Sequence, residues 1–265
     1  MNKGRRREFF VLGEVLLPIR EELEQVQNIL NEVFKIKTGN LIDFLHPDLS
    51  SINNFSKPAL VILSARLFTL PSRQVIFLAA IVQFIYMAFQ VHKNVTEDES
   101  QFAGADNRRN DRQFLVLVGD YFYSRFFAGL CDAGLLKYLR PLSELICQFN
   151  EGNILRLKNR KEELFAPDTL LKRIIEKESA AFVAASCRMG GELGGAREPD
   201  LKCLYHFGFN LGMSFGLLKE QASPDEAAPY FQKALSYLAP LPPGVNRDTM
   251  EQIACALQKE PVLYG

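Results

Sequence analysis

An apolar run that begins at Val75 stops at Val91, and His92, Lys93, Asn94, Thr96, Glu97 and Asp98 follow it directly. A change this abrupt marks a buried helix reaching a wet cavity or the surface. Side chains of these types suit proton transfer or the binding of an ion, but no conventional site assembles around them. His46, His92 and His206 are scattered, without the spacing of a metal pair on one helix face. No Ser-His-Asp or Cys-His set can be built, and carboxylate pairs such as Asp98-Glu99 and Glu162-Glu163 sit in polar contexts where solvated charge is the ordinary explanation.

Two further stretches invite a phosphate-binding role. ESQFAGADNRRNDRQ (99–113) lacks apolar periodicity and is expected to be an exposed loop, whose Arg108 and Arg109 either bind phosphate or only keep it soluble. MGGELGG (189–195) is glycine-rich, yet it follows no strand and lacks the Lys-Ser/Thr ending of a phosphate loop. Helix termination or close packing explains it better.

The elements that must position these residues are helices. Ile19, Leu23, Val26, Leu30 and Val33 alternate steps of four and three, which places one apolar stripe on an amphipathic helix started by Pro18. Further helices are expected over about 58–69, 73–92, 111–130, 134–158, 168–194, 200–220, 225–239 and 247–258, punctuated by Leu70-Pro71-Ser72, Ala133-Gly134, Ala166-Pro167-Asp168 and Pro240 to Gly244. No stretch alternates as a strand. Several helices are apolar on nearly every side, which requires a multi-helix array with central members.

With 265 residues and no long linker, residues 1–265 read as one domain. A formal net charge of zero gives no support to a nucleic-acid partner. Cys131, Cys147, Cys187, Cys203 and Cys255 are widely spaced, as reduced thiols in a cytoplasm would be. The basic N-terminal stretch is interrupted by Glu8, Glu14 and Pro18 and does not read as a signal peptide. Val75–Val91 is the one membrane candidate, but it is short and carries Gln83 and Gln90, so a buried helix is expected.

Taken together, SKPALVILSARLF (56–68), FLVLVGDYFYSRFFAGLCDAG (114–134), QFNEGNILRLKNR (148–160), ESAAFVAASCRMGGELGG (178–195) and FGFNLGMSFGLL (207–218) resemble the trans-isoprenyl diphosphate synthases, or polyprenyl synthetases, in order and spacing. The resemblance implies the all-α isoprenoid synthase fold, a multi-helix array around a central apolar cavity. It also implies where the family's sites fall. The first aspartate-rich motif, Asp-Asp-x-x-Asp after a histidine, falls on Lys93, Asn94 and Glu97, behind a retained His92. The second falls on Lys219, Glu220 and Ser223. Of the Gly-Lys-Arg-x-Arg-Pro motif, Lys57 and Pro58 retain something, and the Lys-Thr pair falls on Glu178 and Ser179, or is displaced by one residue to Lys177.

In the family these carboxylates hold magnesium ions that bridge to a diphosphate. This chain is therefore expected to bind no metal or cofactor of its own and to have no catalytic residue. RQFLVLVGDYFYSRFF and VHKNVT look most like the component I small subunit of heptaprenyl or hexaprenyl diphosphate synthases. That likeness implies a cytoplasmic chain, at most peripheral to the membrane, working with a catalytic subunit that carries intact motifs and magnesium, in making the prenyl tail of a respiratory quinone such as menaquinone. Lys57, Arg108 and Arg109 are the candidates for residual binding of a prenyl diphosphate. Phe84, Ala88 and Phe89 are the candidates for limiting product length, unless they serve only as core. Tyr121, Phe122, Tyr123, Phe126 and Phe127 crowd one helix and are expected at the subunit interface. A divergent synthase acting alone, and a lipid-binding or scaffold protein using the same fold, are the competing readings.

Overall fold

The computed structural model describes the backbone of residues 14–36, 39–40, 55–97, 105–161 and 168–259, and the side chains of 14–34, 55–93, 113–159 and 168–258. A 3-10 turn at Leu17–Ile19, with Pro18 inside it, leads into α1 (Arg20–Phe34). Glu21 and Glu22 complement the helix dipole in its first turn, and the predicted stripe of Ile19, Val26, Leu30 and Val33 is buried. After a two-residue antiparallel pairing of Lys35–Ile36 with Gly39–Asn40, two central helices follow, α2 (Ser56–Arg66) and α3 (Arg73–Glu97). Every residue from Pro58 to Ala65 is buried, as a helix apolar on all sides requires.

The next helix, α4 (Ala105–Asp132), lies along α3. It corrects the expected loop: residues 105–113 are helical, and 99–104 lie outside the described residues. Once α4 is nucleated against α3, extending it through a segment without proline or glycine adds a hydrogen bond for each residue fixed, so no apolar face is needed there. Gly134, at φ 65°, turns the chain into a 3-10 turn (Leu136–Tyr138) and α5 (Leu139–Lys161). Then α6 (Asp168–Ile175), a π-helical turn (Glu176–Ala180) and α7 (Ala181–Leu193) run on without a break. The set closes with α8 (Glu198–Lys219), α9 (Pro224–Leu238) and α10 (Val245–Lys259).

The glycine-rich segment packs helices rather than cradling phosphate. A Cβ on Gly190 would sit 2.3 Å from the Val61 carbonyl oxygen, and one on Gly194 2.6 Å from that of Ala65, so α7 rests directly on the backbone of α2. At its end Gly195 takes φ 83°, and the Ala196 N–H donates back to Gly191 O in a left-handed helix stop.

Among the described residues, two helices are long and apolar enough to cross a membrane by length and composition, α3 over Arg73–Lys93 and, beyond the single candidate expected, α4 over Gln113–Asp132. They differ in surroundings. The apolar stretch of α3 is 78% buried inside the protein, that of α4 only 28%.

Because α7 touches α2 backbone to backbone, Gly190→Ala is expected to lower stability by about 2 kcal/mol through overpacking. A thermal melt followed by circular dichroism measures it, and an unchanged midpoint would mean the helices can part at no cost.

Candidate functional site

The helix ends converge on one open cleft. Its walls are Lys57 from α2, Tyr86, Phe89, Gln90 and Lys93 from α3, Arg156 from α5, and Ile175 from α6. Glu178 and Ser179 come from the π turn, Phe182 from α7, Phe215, Gly216 and Lys219 from α8, and Glu220 from the cap that ends it. Of the polar residues that end the apolar run of α3, Lys93 therefore reaches a cavity.

Arg156 ties this cleft together. Its Nε and Nη2 donate to Glu178 Oε1 and Oε2 at 3.1 and 3.0 Å, while Nη1 and Nη2 donate to Glu220 Oε2 and Oε1 at 3.0 and 2.8 Å. One guanidinium thus grips two carboxylates, each with two hydrogen bonds, the geometry its planar fork favours. Burial opposes the charge on Arg156, yet the bonds to Glu178 and then Glu220 outweigh it and raise its pKa further. Burial likewise opposes the charge on Glu220, and its bond to Arg156 prevails, lowering that carboxyl below its ordinary range. Local chain geometry makes the fork reachable. Gly152 lies one turn before Arg156 on α5, and a Cβ there would fall 2.8 Å from Glu178 Cγ, so its bare backbone lets the π turn approach. Ser179 anchors the same turn by donating to Gly212 O at 3.0 Å.

Ammonium groups fill the remaining polar wall. Lys93 Nζ lies 3.7 Å from Glu178 Oε2. Lys57 Nζ sits 3.7 Å from the centroid of the Tyr86 ring, a cation–π contact, and burial pushes its pKa from 10.5 down to about 8. Burial also lowers the pKa of Lys219, offset in part by Tyr86 and reinforced by the charges of Lys93 and Lys57. Four basic side chains face two acidic ones, a formal excess of two positive charges. Such a set does not suit a hard dication such as magnesium, which needs several oxygen ligands. Both carboxylates are committed to Arg156, and no three His, Cys, Asp or Glu side chains among the described residues come together as metal ligands.

The structure sorts the residues anticipated from sequence. Lys57, Lys93, Lys219, Glu220 and Phe89 line the cleft, as do Glu178 and Ser179. Ser223 does not: its side chain accepts from Asp225 N at 3.2 Å and caps α9. The side chains of Asn94, Glu97, Arg108 and Arg109 lie outside the described residues. Phe84 and Ala88 are core, with Phe84 stacked on Phe122 at 6.5 Å. His92 faces α4, its ring against Gly119, where a Cβ would fall 1.9 Å from Nε2, and against Tyr123 at 5.6 Å, with Asp120 3.5 Å away. Burial lowers its pKa, offset in part by Asp120.

Of the five aromatics expected at an interface, Phe122 and Phe126 are fully buried in this chain's own core, which removes them from any partner surface. Tyr121 is half-buried and donates to Val33 O at 2.9 Å. Tyr123 is half-buried against His92, and Phe127 is exposed. Exposed Val116 and Leu117 share the outer side of α4 with Phe127.

Arg156 gave no sequence signal apart from standing one turn after Gly152, and an arginine in QFNEGNILRLKNR reads as solvated surface.

Two measurements follow from this geometry. Arg156→Met strands two carboxylates and is expected to cost about 3 kcal/mol in chemical denaturation, with Arg156→Lys recovering only part of it because the fork is lost. An unchanged midpoint in Arg156→Met would remove the fork as a structural element. The side-chain resonance of Lys57 should titrate near pH 8. Since an unfolded lysine stays protonated to about 10.5, the unfolded chain binds the extra proton between these values, and the contribution of Lys57 to stability rises with pH across them. A midpoint above 10 would show the amine to be solvated.

Comparison with known proteins follows the same lines. A family model described as polyprenyl synthetase matches residues 55–218, which include every cleft residue but Lys219 and Glu220. Heptaprenyl diphosphate synthase component 2 of Geobacillus stearothermophilus is 27% identical over 199 residues, covering 74% of this chain and 62% of that protein. Octaprenyl diphosphate synthase of Escherichia coli is 25% identical over 211 residues, covering 75% and 65%. The chain thus spans less than two thirds of the length of either relative. Among solved structures, a decaprenyl diphosphate synthase from Rhodobacter capsulatus gives a TM-score of 0.79 at 20% identity, covering 94% of this chain and 98% of that one. The polyprenyl synthase from Caulobacter crescentus, solved with calcium and isoprenyl diphosphate, also gives 0.79, at 19% identity and 95% and 98% coverage. These structures establish the all-α isoprenoid synthase fold, and with a family match across more than half of its length, the chain belongs to the polyprenyl synthetase family.

Proposed function

We propose that this chain is a non-catalytic subunit of a heteromeric long-chain trans-polyprenyl diphosphate synthase, serving prenyl-tail synthesis for a respiratory quinone such as menaquinone. The observation that carries the reading is the cleft itself. Where the family resemblance puts metal-binding carboxylates, Lys93 and Lys219 present ammonium groups, and Glu220 is held by Arg156. Prenyl transfer depends on neutralising a leaving diphosphate, for which the family uses bound magnesium. Such neutralisation falls to a partner carrying intact aspartate-rich motifs.

Two further observations support a partner. A relative is named as a numbered component of heptaprenyl diphosphate synthase. The outer side of α4 exposes Leu117 at 67%, Phe127 at 49% and Val116 at 39%, an apolar surface of the kind that association covers.

The pure chain is expected to form no product from isopentenyl and farnesyl diphosphates at any magnesium concentration, and to co-elute with its partner synthase and raise that enzyme's output. Leu117→Arg and Phe127→Arg, both surface changes, should leave circular dichroism unchanged and abolish co-elution. Turnover by the pure chain, with contaminating synthase excluded, would overturn the non-catalytic reading. Undiminished association of both variants would move the interface off α4.

A further inference from the structure

The cleft takes the start of α2, the end of α3, the second half of α5, the start of α7 and the end of α8, so the other ends of these helices meet at the opposite pole of the array. Side chains tie the turns together there. Gln74 at the start of α3 donates to Ala133 O after α4 at 3.2 Å, Lys137 before α5 reaches Glu192 at the end of α7 at 2.8 Å, and Asn246 at the start of α10 donates to Arg66 O at the end of α2 at 2.9 Å. Glu22 of α1 pairs with Arg66 at the same pole. Half of the large apolar side chains that the described residues leave exposed stand here: Leu17, Leu70, Leu136, Leu139 and Val245. Leu70 is 81% exposed, Val245 58% and Leu136 57%.

The charged residues of these turns are cations alone. Residues 66–74, 133–141, 194–197 and 239–247 hold Arg66, Arg73, Lys137, Arg140, Arg197 and Arg247, and no aspartate or glutamate. The carboxylates nearby belong to the helices, where Glu22, Glu192, Glu144 and Asp200 pair with Arg66, Lys137, Arg140 and Arg197. Arg73 lies 5.2 Å from the centroid of the Phe77 ring, and Arg247 donates to Ala239 O and Leu241 O. Neither pairs with a carboxylate among the described residues.

Apolar tips on separate turns, each within a few residues of an arginine or lysine, do not make the contiguous groove that a helix or a folded partner fills. They suit a plane. An apolar tip enters the acyl boundary of a bilayer while the long cations beside it keep their charged heads at the lipid phosphates. We propose that this pole docks the chain on an anionic lipid surface, with Leu70, Leu136 and Val245 entering the bilayer and Arg73, Arg140 and Arg247 meeting the phosphates. The contact is separate from the cleft and from the outer side of α4, and leaves both uncovered.

The test is cosedimentation of the pure chain with vesicles of phosphatidylglycerol and phosphatidylcholine in equal parts. Saturable binding is expected, about tenfold weaker on phosphatidylcholine alone and weakened by high salt, because each cation near an anionic surface adds to the affinity and is screened by ions. Leu70→Glu and Val245→Glu, both at exposed positions, should each lower the partition constant about tenfold with circular dichroism unchanged, since a carboxylate replaces a side chain that enters the bilayer. Leu117→Gln on α4 should bind lipid as the wild type does. Absence of binding to the mixed vesicles, or equal binding to phosphatidylcholine alone, would overturn the proposal. Loss of binding in Leu117→Gln but not in Leu70→Glu and Val245→Glu would also overturn it, by moving the lipid contact to α4. Size-exclusion chromatography of the same variants tests for a protein occupant. If Leu70→Glu and Val245→Glu lose self-association or co-elution with the partner synthase while keeping their lipid binding, the pole is a protein interface and the proposal fails.

Discussion

The arrangement of the cleft depends on one guanidinium. Glu178 and Glu220 come from different elements, the π turn and the end of α8, and without Arg156 they would be two carboxylates sharing a partly buried space. An ion pair in such a setting adds little net stability over a well-packed apolar contact, because both partners give up water. What it adds is position. Four hydrogen bonds from a rigid fork on α5 fix the π turn and α8 relative to each other, and Gly152 provides the clearance for that approach.

With the carboxylates fixed in this way, the lysines of the cleft become one consistent set. Lys93 approaches Glu178 from α3, Lys57 rests on Tyr86, and Lys219 follows at the end of α8. Each lysine alone would be a local variation. Together they leave a cleft with an excess of positive charge in a fold whose relative from Caulobacter crescentus was solved with calcium and isoprenyl diphosphate. Beside these charges the rings of Phe89, Phe149 and Phe182 pack against one another.

The helices were legible because their apolar periodicity is strong, and the stripe from Ile19 to Val33 and the all-round burial of α2 lie where the pattern puts them. The start of α4 was not, since a polar helical extension carries no such pattern. Aromatic density on α4 signalled a special helix but could not say which side is covered. Val118, Phe122 and Phe126 recur every four residues and face the core, whereas Leu117, Ser124 and Phe127 fall on the opposite side. The cleft was half legible. Positions carried over by family resemblance found Lys57, Lys93, Lys219, Glu220, Glu178 and Ser179, and among them the formal charges of Lys93, Lys219, Glu178 and Glu220 cancel. The excess appears only when folding adds Arg156 and Lys57 to the same space, and no local signal marks a partner more than sixty residues away, as Glu220 is from Arg156.

The central claim is that cationic side chains stand in this cleft where the family holds metal ions. Equilibrium dialysis of the pure chain against manganese tests it most directly. The account predicts that manganese on the protein side of the membrane does not exceed that of the protein-free control. Stoichiometric retention of manganese by the chain, at one ion or more per molecule, would contradict it.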